Sequence, residues 1–98
     1  MNPLQREILV IDGDERARAL MGQILAEQGF AVTAVGDGSA ALRRIEAKPF
    51  ALVIAEIRLP GPLDGITTIR QARARVAALS PAVLSLCHRA VPAAGSRR

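Results

Sequence analysis

Apolar runs of strand length alternate along this chain with stretches in which apolar residues recur at helical spacing. Glu7–Ile11 (EILVI) is the first strand, and Asp12-Gly13-Asp14 turns at its carboxyl end. Ala17, Leu20, Met21, Ile24 and Leu25 follow at i, i+3, i+4, i+7 and i+8, which predicts an amphipathic helix from Glu15 to about Gln28 with one apolar stripe. Asp14 is placed to cap it, because a carboxylate accepts from the orphan N–H groups of a first turn, and Gly29 to stop it. Phe30–Val35 (FAVTAV) reads as a second strand and Gly36-Asp37-Gly38 as a turn. Asp37 or Ser39 caps a second helix to about Lys48, apolar at Ala41, Leu42 and Ile45 and ended by Pro49.

The run Ala51–Ala55 is a third strand that ends on one carboxylate, Glu56. The loop after it, rich in Pro and Gly, leads to Asp64, the cap of a third helix expected from Gly65 to about Leu79 with Ile66, Ile69, Ala72 and Val76 on one face. Ala82–Leu86 (AVLSL) is a fourth, short strand, and the tail from Cys87 has no usable periodicity. No hairpin dipeptide joins two strands. The order β-α-β-α-β-α-β therefore predicts right-handed crossovers, a parallel sheet and helices on both faces. In such a sheet ligands bind beyond the carboxyl ends of the strands, which is where Asp12, Asp14 and Glu56 lie.

Composition narrows this picture. Ninety-eight residues make one domain, and with no Trp or Tyr and only two Phe its core must be built from Ala, Leu, Ile and Val. The single Cys87 excludes an internal disulfide, and Cys87-His88 is an incidental pair, since strand neighbours point to opposite faces. No apolar run approaches the ~20 residues of a membrane span and the start lacks a signal-peptide pattern, so a soluble, cytoplasmic protein is expected. Charge is uneven: residues 1–64 carry −2, while residues 65–98 hold six Arg and no acid. Without aromatic or helix-turn-helix patterning, the basic third reads as a solvated helix and tail, not as a nucleic-acid surface.

The ILVID strand and turn, DG-S-A-A-L after the second strand, and E-I-R-L-P-G-P-L-D-G at the centre stand in an order and spacing that resemble the receiver domain of bacterial two-component response regulators. The resemblance covers roughly residues 6–87 and implies a flavodoxin-like doubly wound sheet. Four strands are present, in the order 2-1-3-4, with the fifth strand and last helix missing. It divides the chain into a receiver-like domain, 1–87, and a basic, disordered tail, 88–98.

Receiver domains accept a phosphoryl group from a histidine kinase on an Asp ending the third strand, with Mg²⁺ held by an acidic pair after the first. By resemblance, Glu56 occupies the phosphoacceptor position, Asp12 the first acid, and Gly13 the second, with Asp14 one residue further on. Arg58 supplies the position whose backbone carbonyl completes the metal shell, Leu86 occupies the Thr/Ser switch position, and the Lys of the fifth strand has no counterpart.

A Glu side chain moves the carboxylate by about a bond length, ~1.5 Å. Positioning tolerates that poorly, since ~1 Å can cost ~10²-fold. The reading is a signalling module that is not phosphorylated, not an enzyme, and acts through protein–protein contact with a histidine kinase or regulator. No cofactor is required, and Mg²⁺ binding is weak at best. Glu56 is either a fixed negative charge imitating phosphorylation or an idle carboxylate, and Asp14 is a cap before it is a ligand. Two alternatives stand beside this one: a phosphorylatable receiver with an unusual site, and a small Rossmann-like dinucleotide-binding domain on Gly36-x-Gly38-x-x-Ala41. An exposed edge at the fourth strand and an uncovered flank on the first helix predict self-association, pairing with a partner, or marginal stability.

Overall fold

A computed structural model of the protein describes residues 6–75 and 84–87. Its elements are β1 (Glu7–Ile11), α1 (Glu15–Glu27), β2 (Ala31–Val35), α2 (Gly38–Ala47), β3 (Leu52–Glu56), α3 (Gly65–Arg75) and β4 (Leu84–Cys87). The strands form one parallel sheet in the order β2-β1-β3-β4, as the alternation of patterns predicts. Among the described residues no helix is long and apolar enough to cross a membrane.

Strand periodicity sorts the core onto two faces. Leu9 and Ile11 register with Val53 and Ala55 and are buried with Ala41, Leu42 and Ile45 of α2, Ala72 of α3, and Phe50. Ile8 and Val10, one residue out of phase, belong to the opposite face, where Val10 and Ile54 meet α1. These residues are almost all Leu, Ile, Val and Ala, so tight packing of small and branched side chains stands in for aromatic bulk. Lys48 ties the end of α2 back to β1 through Glu7 at 3.0 Å, with its ammonium 5.3 Å from the centre of the Phe50 ring.

The helix boundaries follow local chemistry. Asp14 accepts from the Arg16 N–H at 2.9 Å, Asp37 from the Ala40 N–H at 2.8 Å, and Asp64 from the Thr67 N–H at 2.7 Å. Asp37 and not Ser39 is therefore the α2 cap. Gly29 ends α1 with φ +94°, a conformation that L side chains rarely adopt.

Several expected boundaries and faces shift. Phe30 stays outside β2, and α2 stops at Ala47. β3 begins at Leu52 and includes Glu56, because the parallel ladder with β4 continues through it. Cys87 pairs with Glu56 and so belongs to β4 and not to the tail. In α3 the buried polar residue is Thr68, fully enclosed, whereas Ile66 is exposed. Its hydroxyl donates to the Asp64 carbonyl at 2.7 Å, which satisfies it inside the core. The expected end of α3 at Leu79, Val76 on its apolar face, the start of the fourth strand and the tail lie outside the described residues.

The apolar stripe of α1 leaves no residue fully buried, with Leu20 59% and Ile24 47% exposed. The helix lies over β2 and β1.

Candidate functional site

The carboxyl ends of β1 and β3 are neighbours in the sheet, so residues far apart in sequence meet there. Asp12 follows β1 and Glu56 ends β3, and both line the polar end of an open groove of about 260 Å³ whose walls are Val10, Ile54, Leu20 and Ile24. Glu56 is 8% exposed, and its Oε1 accepts from the N–H of Ile57 at 3.1 Å. Asp12 is held from two sides. Its N–H donates to the Val35 carbonyl at 3.1 Å, and its Oδ1 accepts from the Asp14 N–H at 2.9 Å. Arg18, one turn into α1, donates to the Asp12 carbonyl at 2.8 Å and so brings a cation to the ends of β1 and β2. Sequence reasoning did not single out Arg18; its spacing of one residue from Ala17 on a predicted helix was the only signal.

Asp14 does not join the other two acids, because its carboxylate is spent on the α1 cap. Among the described residues no group of three or more His, Cys, Asp or Glu is placed to hold a metal ion. Arg58 lies exposed in the bend after β3. Leu86 is at the carboxyl end of β4, where it pairs with Ala55.

Two glycines fix how the loops close over this end of the sheet. A β-carbon on Gly65 would collide with the carbonyl oxygen of Glu56, so the start of α3 packs directly on the end of β3, and the Gly65 N–H donates to the Ile57 carbonyl at 2.7 Å. A β-carbon on Gly13 would stand 2.7 Å from Cδ of Pro60, so the β1–α1 turn and the LPGPLDG loop touch where any side chain at position 13 would begin. Asp64 in that loop is an exposed cap, and the Thr67 N–H holds its carboxyl below the usual carboxylate range.

Gly38 is equally crowded. A β-carbon there would run into the Thr68 hydroxyl and approach Cβ of Leu63 at 2.8 Å, so the glycine serves packing between α2 and the loop before α3. This gives Gly38, one glycine of the pattern that imitates a dinucleotide fingerprint, a packing role.

Comparison with known proteins agrees with this architecture. The sequence matches the response regulator receiver domain over residues 8–94. It is 36% identical over 70 residues to protein PetR of Rhodobacter capsulatus, covering 71% of this chain and 29% of PetR. It is 33% identical over 87 residues to the transcriptional regulatory protein FixJ of Bradyrhizobium diazoefficiens, covering 89% of this chain and 42% of FixJ. The chain thus spans less than half the length of these curated relatives.

Among solved structures, the response regulator protein TrrA of Thermotoga maritima, in complex with Mg²⁺–BeF, superposes with a TM-score of 0.77 at 23% identity, over 94% of this chain and 76% of that one. The receiver domain of the sensor histidine kinase PA1611 of Pseudomonas aeruginosa, with a magnesium ion in its active-site cleft, gives 0.72 at 26% identity, over 93% of this chain and 71% of that one. The four-stranded order, the convergence of Asp12 and Glu56, and these matches displace the dinucleotide-binding alternative, and the chain belongs to the response regulator receiver domain family.

Proposed function

We propose that this receiver domain does not carry an acyl phosphate and instead signals from a fixed carboxylate, Glu56, through contact with a histidine kinase or a partner regulator. The observation that carries the reading is the contact between Gly13 and Pro60. Position 13 is where the second acid of a receiver's metal pair stands, and here no β-carbon fits without moving the loop. A hard cation such as Mg²⁺ needs several oxygen ligands in near-octahedral array. With Gly13 unable to supply one and Asp14 committed to its cap, Asp12 and Glu56 are left as the acidic donors at this end of the sheet. The residues do not fit the ion, and Mg²⁺ binding is accordingly weak.

Glu56 supports the same reading. Its hydrogen bond to its own following N–H turns one oxygen back toward the chain and away from an incoming phosphoryl group. It offers one permanent charge where a phosphoryl group brings nearly two, so its effect on the surrounding loops is that of a partial, constant signal. The module is not an enzyme, and it works in the cytoplasm beside a kinase or regulator.

Amide resonances followed by NMR during addition of Mg²⁺ and beryllofluoride, a phosphoryl mimic, test this directly. The amides of residues 12–14 and 56–58 should stay in place. Saturable shifts concentrated on those amides would overturn the reading.

A further inference from the structure

Five uncharged residues, Ala31–Val35 (AVTAV), make up β2, which stands at one end of the sheet order. The chain enters β2 from α1 and leaves it into α2, and among the described residues the strand pairs with β1 alone. A fifth strand in the flavodoxin-like order adds beside β4, so β2 is an edge of the complete fold as well. Edge strands are ordinarily guarded by a charge, a Pro or a bulge, because their open N–H and C=O groups are a template for another strand. β2 carries no charge and no Pro, and its register with β1 runs from Ala31 to Val35 without a bulge.

The phase of the ladder says which backbone groups are open. The Asp12 N–H donates to the Val35 carbonyl, so residues 31, 33 and 35 turn their backbone groups toward β1, and Val32 and Ala34 turn theirs outward. An antiparallel second copy centred on Thr33 sets Val32 against Ala34 of the copy, and Ala34 against Val32 of the copy. Both are then hydrogen-bonded pairs, which exchange about four N–H···O bonds in all, and the two Thr33 residues meet between them as the close pair, ~4.5 Å apart at Cα. The same register carries Gly29 to Asp37 of the copy. Arg6 donates to the Gly29 carbonyl at 3.2 Å, so each end of the paired strands brings a cation toward a carboxylate. A parallel copy would align Asp37 with Asp37 and would not close on a two-fold axis.

We propose that the β2 edge is a self-association surface, and that its occupant is β2 of a second copy of this chain, paired antiparallel about Thr33 so that the two sheets become one. The contact is independent of the reading of Glu56. It is also distinct from pairing at the β4 edge, which lies on the opposite side of the sheet.

Sedimentation velocity of the full chain at low ionic strength, over a concentration series, tests it with two variants at the axis. Thr33→Lys and Thr33→Glu each set like charge against like charge in the close pair, and each should raise the dimer dissociation constant by about fivefold. An equimolar mixture of the two sets Lys against Glu, and should form a heterodimer to within about twofold of the unsubstituted dimer, which also shows that both variants fold. A chain that stays monomeric to about 1 mM would overturn the proposal. So would a dimer indifferent to both substitutions, or one that the mixture fails to restore.

Discussion

Gly13 and Pro60 bear on the site as much as its carboxylates do. With 2.7 Å between the Pro60 ring and the place of a β-carbon at position 13, Gly13→Asp has to displace the loop. It should lower stability by about 1–3 kcal/mol, as overpacking does, without creating a Mg²⁺ site. Chemical denaturation and a Mg²⁺ titration check the two parts. Asp64 gives a pH signature. Its carboxyl titrates below its ordinary value because the Thr67 N–H favours the charged form. Its contribution is therefore present above the unfolded-state pKa, ~3.9, and is lost as pH falls through the lower folded value. The stability difference between the protein and Asp64→Asn should be constant near neutrality and shrink in that acid window, in urea melts at stepped pH.

At the scale of elements, the two faces of the sheet differ in what they lose on mutation. Leu42 in α2 is buried in the core, so Leu42→Ala should cost ~2–5 kcal/mol. Leu20 in α1 occupies an equivalent place in its own apolar stripe but is more than half exposed, and Leu20→Gln should stay within about 0.5 kcal/mol in dilute solution. The Asp37 cap links the turn after β2 to α2, and Asp37→Ala should cost about 1 kcal/mol. Thermal melts read all three.

The same contrast shows what the sequence can and cannot say. Period and caps located every described element, because helix and strand spacing and Asp caps are local properties. Which stripe is covered depends on the neighbours that the fold supplies. Thr68, a polar residue off the expected face of α3, was therefore missed as core. At the site, the end-of-strand acids were legible from the run that precedes each. The contact of Gly13 with Pro60 was not, since nothing local links two turns more than forty residues apart.

Taken whole, the molecule keeps the receiver frame, and the proposed function lies at the carboxyl end of its sheet. The strand order, the meeting of Asp12 with Glu56 and the loop folded onto β3 are all retained. The central claim is that this frame no longer takes a phosphoryl group. Intact-mass measurement after incubation with acetyl phosphate and Mg²⁺ tests it most directly. The account predicts an unchanged mass for the full chain, and a stable gain of one phosphoryl group localised to Glu56 would contradict it.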